Sequence, residues 1–138
     1  MPGDHFVIGS FNKPGAINPL TTQTTISANL VDLVFDSLID LDENYQLRPL
    51  IAERWTISEE GKIWTFYLKK GIFFHDGKEL TAEDVAYTFQ LVSKEKNQGY
   101  YYLFSHVLKM EAVDRYTFQV TLNEYDHAFW GAILSNNI

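Results

Sequence analysis

The clearest signal along the chain is strict alternation. Between residues 63 and 69 the apolar Trp64, Phe66 and Leu68 are interleaved with Thr65, Tyr67 and Lys69. This period of two places one row of a strand on a core and leaves the other, Tyr67 included, on a wetter face. A second β-prone run at residues 55–58 precedes it across Glu59-Glu60-Gly61, a short polar loop whose glycine suits the positive φ of a hairpin turn. The same alternation returns at Tyr116, Phe118, Val120 and Leu122 against Thr117, Gln119 and Thr121. Residues 108–113 and 116–122 flank Asp114-Arg115, which predicts a second hairpin with one core face and one solvated face.

Elsewhere the period changes to three-four. Ala82, Val85, Ala86, Phe89 and Val92 form one apolar stripe while Glu83, Gln90 and Lys94 lie off it, predicting an amphipathic helix that starts at Thr81 or Ala82. Thr81 stands three residues before Asp84 in the spacing of a capping box, and Glu83 and Asp84 suit the positive end of the helix. Residues 94–99 are polar and end in glycine, a usual helix stop. Ile26, Leu30, Leu33, Val34 and Leu38 predict an earlier helix over residues 27–37, capped by Thr25 or Ser27. Residues 38–42 read as a short strand into an Asp42-Glu43-Asn44 turn, and residues 47–51 lead into the first hairpin, with Arg48 held extended by Pro49. Helix-like apolar spacing over residues 128–134 ends at Asn136-Asn137. Near the start, Phe6-Val7-Ile8 reads as a short buried strand that needs a partner. A long loop over residues 11–25 follows, with turn signals at Pro14-Gly15 and Asn18-Pro19. Loops of that length in compact domains are more often functional than idle, with a plain surface connection as the alternative. The clean switch between the two periods predicts an α+β domain in which a mixed sheet, built from the two hairpins, packs against the helices.

Residues 49–85 carry more than periodicity. Pro49-x-x-Ala52-x-x-Trp55, the Glu60-Gly61 turn, Phe66-x-Leu68-Lys69-x-Gly71, Phe74-His75-Asp76-Gly77 and Thr81-Ala82-x-Asp84-Val85 follow one another in order. This series resembles the family-5 extracellular solute-binding proteins, the peptide- and nickel-binding components of ABC importers. Lys69 departs from the arginine more frequent there, a swap that a surface basic residue tolerates outside a bidentate pair.

The resemblance implies part of lobe I of a type II periplasmic-binding-protein-like fold, in which two lobes close on a ligand. Members of the family are several times longer than 138 residues, so the expectation is an N-terminal fragment. It would be a single domain over residues 1–138, with the first strand and a cleft loop at 1–25, an α+β subdomain at 26–138, and the second lobe missing. The implied role is capture of oligopeptides, or of nickel or other small solutes, for delivery to ABC transporter permease subunits, with no enzymatic activity and no cofactor. A periplasmic or extracellular location with a lipoprotein-type membrane tether is implied as well. In the family the loop after the first strand borders the ligand cleft, which makes Asn18, Thr21, Thr22 and Gln23 candidate ligand-binding residues. An aromatic residue near the position of Tyr100 faces the ligand there too, so Tyr100 joins them.

Composition narrows the alternatives. A chain of 138 residues with 46% hydrophobic content suits one domain with its own core. The formal net charge of −7 opposes nucleic-acid binding and adhesion to anionic membranes, both of which need a basic surface. No run of eighteen apolar residues is present, so no segment is long enough to span a bilayer as a helix. No basic stretch followed by an apolar one opens the chain, so a signal peptide is expected to be absent or removed. The absence of cysteine rules out disulfides, thiolate metal ligands and a cysteine nucleophile.

Reactive side chains add little. His75 beside Asp76 shows no ligand spacing with His5, His106 or His127, against the demands of a zinc site. Glu59-Glu60 and Glu83-Asp84 are sequence neighbours in a turn and a first helical turn, whereas glycosidase chemistry needs carboxylates facing each other across a sugar. No phosphate-binding glycine loop and no Gly-x-Ser-x-Gly elbow occurs. The aromatic run at residues 100–104 suits either stacking on a ligand or packing against the sheet. Two further readings stay open beside the solute-binding one. One is an isolated carbohydrate-stacking module using exposed Tyr and Trp residues, and the other an acid-pair hydrolase using Glu83 and Asp84.

Overall fold

The alternating row of Trp64, Phe66 and Leu68 lies on β4 (Ile63–Leu68), an inner strand of a four-stranded sheet. β3 (Ala52–Ile57) flanks it on one side. On the other come β6 (Thr117–Leu122) and then β5 (Val107–Asp114) at the far edge. The two predicted hairpins form as β3–β4 and β5–β6 and join through β4 and β6, where Phe66 stands opposite Phe118 and Trp64 opposite Val120. The computed structural model describes residues 15, 17–19, 25–94, 101–135 and 138. The strand predicted at 5–10, most of the 11–25 loop, the helix stop at 95–99 and Asn136-Asn137 lie outside them. Every strand pairing among the described residues is antiparallel, where the sequence predicts a mixed sheet. Consecutive hairpins need only tight turns, whereas a parallel neighbour needs a long crossover.

One face of this sheet carries the core. Trp64, Phe66, Phe118 and Val120 are fully buried. α2 (Ala82–Lys94) lays Val85, Ala86, Phe89 and Val92 against them, with the Phe89 and Phe118 ring centroids 5.2 Å apart. α3 (Phe129–Ser135) closes the end near Trp64, bringing Phe129 to 5.2 Å and Trp130 to 4.8 Å from its ring in edge-on contacts. Burying an indole leaves an N–H to satisfy, and Trp64 Nε1 donates to the Gly61 carbonyl at 2.9 Å. The opposite face is polar. There Gln119 Nε2 donates across the strands to Thr65 Oγ1 at 3.1 Å, and the Arg54 guanidinium lies 3.4 Å over the Tyr67 ring. At the first hairpin turn Gly61 has φ 69°, and a Cβ there would stand 2.3 Å from Tyr125 Cδ2. Backbone torsion and lack of space both require glycine at that position.

α1 spans Thr25–Val34 rather than the predicted 27–37. Leu38, which the sequence places both on this apolar stripe and at the start of the next strand, goes with the strand, its carbonyl accepting from the backbone N–H groups of Leu50 and Ala52. Pairing with that strand segment offers the backbone a partner the helix cannot, and the helix ends ahead of it. As a result Val31 is buried while Leu33 is 68% exposed, against the predicted stripe. β1 (Ile39–Leu41) and β2 (Leu47–Pro49) form a small separate hairpin. In its turn Asp42 Oδ1 accepts from Asn44 N–H and Gln46 N–H, the local side-chain bonding that makes aspartate a turn former. β3 starts at Ala52 rather than residue 55, since Ala52 pairs with Leu68 at the far end of the ladder.

The start of α2 is built on Thr81, although not quite as a capping box prescribes. Asp84 Oδ2 accepts from Thr81 N–H at 2.9 Å, the expected reach back, and also from the Thr81 hydroxyl at 2.8 Å. The hydroxyl therefore donates to the carboxylate, while the Asp84 backbone N–H bonds to the Thr81 carbonyl at 3.1 Å. Lys78 Nζ, 3.1 Å from Asp84 Oδ1, completes the shell.

Two stability predictions follow from this packing. Phe66→Ala should cost about 3–5 kcal/mol in denaturant unfolding, the range for a truncated core aromatic. A measured loss below about 1 kcal/mol would place Phe66 outside the core. Thr81→Ala removes the hydroxyl bond to the Asp84 carboxylate and should cost about 0.5–1.5 kcal/mol, and Thr81→Ser close to nothing, since serine keeps the hydroxyl. Equal losses would assign the effect to the threonine methyl group.

Candidate functional site

Ahead of α1 the chain passes through Gly15, Ile17, Asn18 and Pro19, with Gly15, Ile17 and Asn18 exposed. Ser27, in the first turn of α1, is 1% exposed. Its Oγ accepts from the Gly15 backbone N–H at 2.9 Å, across twelve residues of sequence. This bond fastens the loop that carries Asn18 to the start of the helix. Asn18 lies at the surface, three residues after Gly15. Thr21, Thr22, Gln23 and Tyr100 lie outside the described residues. The aromatic run after residue 100 divides: Leu103 and Phe104 are buried, and Tyr102 is 65% exposed. Phe104 sits 6.2 Å from both Phe89 and Phe129, so the packing alternative holds for that ring. A hollow of about 510 Å³ lies between the end of α2 and the edge strand β5, lined among others by Gln90, Lys94, Phe104, Leu108 and Met110.

A second cluster joins segments that no local pattern connects. Glu79 Oε2 accepts from Arg115 Nη2 at 2.8 Å, and Oε1 accepts from the Tyr116 hydroxyl at 3.0 Å and from Gly71 N–H at 3.1 Å. Arg115 Nε donates to the Tyr116 hydroxyl at 3.1 Å, and the Arg115 carbonyl receives the Ala82 N–H at 2.9 Å. The Arg115 hydrogen bond, with those from Gly71 and Tyr116, holds the Glu79 carboxyl below its usual range, and Glu79 in turn holds Arg115 above its own. At Asp84 burial raises the pKa, but the Thr81 and Lys78 contacts outweigh it and the net direction is down. Carboxylates kept charged and surrounded by donors serve as clasps rather than as proton carriers. Glu59, Glu60, Glu83 and His75 are exposed. Among the described residues no three His, Cys, Asp or Glu side chains are grouped so as to hold a metal ion.

The model of the bacterial extracellular solute-binding proteins, family 5 middle, matches residues 46–136. The chain belongs to this family. A dipeptide-binding protein of Pseudomonas aeruginosa is 31% identical over 147 aligned residues, covering 91% of this chain and 27% of the relative. The oligopeptide-binding protein AppA of Bacillus subtilis, solved in complex with a nonapeptide, superimposes with a TM-score of 0.84 at 27% identity, over 94% of this chain and 26% of that one. NikZ of Campylobacter jejuni, solved with Ni(L-His), gives 0.79 at 27% identity, over 92% and 26%. The chain therefore spans about a quarter of the length of each of these relatives. The predicted α+β class and its place within a periplasmic-binding-protein fold agree with these likenesses. Family-5 proteins are solute-binding proteins of transport systems, which sets the enzyme readings aside at the level of the family. The matched segment takes in both large hairpins, α2, α3 and the Glu79–Arg115 clasp. The Asn18 loop and α1 precede it; the alignment with the dipeptide-binding protein, over 91% of the chain, and the structural superpositions reach them.

The clasp makes stability depend on pH in a set direction. Because the folded-state pKa of Glu79 is lowered from 4.5, its contribution is fully present above that value and is lost as pH falls through the depressed one. In acid denaturation series below pH 4.5, Glu79→Gln should flatten the fall in unfolding free energy relative to the wild type. Parallel profiles for the two proteins would show that Glu79 is no better solvated by its donors than by water.

Proposed function

We propose that this chain forms one wall of the ligand cleft of an ABC importer's solute-binding protein, which captures oligopeptides and passes them to permease subunits. The observation that carries the reading is the likeness to AppA, an oligopeptide-binding protein solved in complex with a nonapeptide, over 94% of this chain. The nickel complex of NikZ keeps small solutes other than peptides within the same proposal. In this reading Asn18, Thr21, Thr22, Gln23 and Tyr100 are the ligand-binding residues. The protein works outside the cytoplasmic membrane, in the periplasm or tethered at the cell surface. The remaining wall of the cleft comes from a second lobe of the kind that the longer relatives have room for. Closure of the two lobes on a ligand is the event a transporter can sense.

One wall binds weakly for a physical reason. Small-molecule sites bury most of the ligand surface and fix its orientation with a few polar groups, and a single wall leaves the far side of the ligand in water. The candidate residues offer amide, hydroxyl and ring contacts but no charge to hold a peptide terminus. The 138-residue chain alone should therefore bind di- to pentapeptides with a Kd no better than about 1 mM, a free energy near −4 kcal/mol. Calorimetry or chemical-shift titration with a mixed peptide library, and with nickel, measures this. Micromolar binding abolished by Tyr100→Ala would make the chain a complete binding module and overturn the two-lobe reading.

A further inference from the structure

We propose that Ser27 is a positioning residue for the ligand-facing loop, acting through its hydroxyl to hold Gly15, and with it Asn18, in a binding-ready place. This rests on the reading of the Asn18 loop as part of a cleft wall. Two polar residues are buried among those described, Ser27 at 1% and Ser37 at 6% exposure, and they behave differently. The Ser37 hydroxyl donates to the Ile39 carbonyl two residues away, a local turn bond. Ser27 receives a donor from outside its own helix, the Gly15 N–H twelve residues upstream. Bonds within the helix would suffice to keep a buried serine satisfied, so a bond reaching out to a surface loop calls for another explanation. A loop that meets a ligand must otherwise be ordered when the ligand binds, and ordering it beforehand removes that cost from the affinity. Bond geometry, rather than the small size of glycine, sets the contact. A Cβ on Gly15 would lie 3.6 Å from Ser27 Oγ, an ordinary contact, and what Gly15 contributes is its N–H.

Four proteins test the assignment by amide NMR, in the absence of ligand and with a tri- to pentapeptide mixture above the millimolar range. They are the wild type, Ser27→Ala without the acceptor, Gly15→Pro without the donor, and Gly15→Ala with both groups kept. Gly15 is exposed, so its variants keep the test decisive even where Ser27→Ala fails to fold. In the wild type the Gly15 amide should exchange about tenfold more slowly than an unbonded loop amide, and in Gly15→Ala the amide at position 15 should remain protected. Ser27→Ala should lose this protection at Gly15. Both Ser27→Ala and Gly15→Pro should lose the peptide-induced shift of the Asn18 side-chain amide, with α1 amides and melting temperature unchanged. An unprotected Gly15 amide in the wild type overturns the anchor. Normal Asn18 shifts in Gly15→Pro overturn the positioning role while leaving the cleft-wall reading intact. A wild-type Asn18 that ignores peptide overturns the cleft-wall reading, and the positioning role falls with it even though the Gly15 amide stays protected.

Discussion

The fold depends on one buried row. Trp64, Phe66 and Leu68 on β4 are 0–2% exposed, and the surrounding elements gather on that row directly or through a neighbour. β3 and β6 flank it through backbone pairing, Phe66 stacks on Phe118 with centroids 6.1 Å apart, and α3 sets Phe129 and Trp130 on Trp64. α2 reaches it at one remove, through Phe89 on Phe118. Large aromatic side chains bury more surface per residue than aliphatic ones. A short chain can therefore gather two hairpins and two helices on one strand without a disulfide.

Around that row the polar contacts decide geometry more than stability. The Glu79–Arg115 pair lies at the surface, with Arg115 60% exposed, where water screens much of the attraction. Its effect is register. Glu79 binds the turn after β4 through Gly71 and the β5–β6 turn through Arg115 and Tyr116, while the Arg115 carbonyl holds the first residue of α2. The start of α2 and the second hairpin are in this way fixed to each other. Ser27 does the same on a smaller scale for the Asn18 loop.

A rigid sheet carrying a fastened surface loop suits a component of a larger cleft. Similar proteins about four times the length of this chain are solved around a nonapeptide and a nickel–histidine complex. Holding a loop in place before a ligand arrives spares the cost of ordering it on binding, which is what gives the anchoring bonds their interest under the proposed reading.

Periodicity read from the sequence was enough to place β4, β6 and α2 with their buried faces, because alternation and three-four spacing are properties of adjacent residues. The Asp42 turn, Thr81 with Asp84, and the family motifs were legible for the same reason, each lying within a few residues of chain. The end of α1 was not, since the helix stops at Val34 ahead of the expected residue 37, and the segment after it bonds to the strand that follows, the Leu38 carbonyl accepting from Leu50 and Ala52 N–H. Nor could the sequence show Glu79 meeting Arg115 across 36 residues, or Gly15 meeting Ser27 across twelve. Local patterns encode which face of an element is apolar. Which distant polar groups satisfy one another is settled only when the core brings their elements together, as it does for Glu79 with Arg115 and for Gly15 with Ser27.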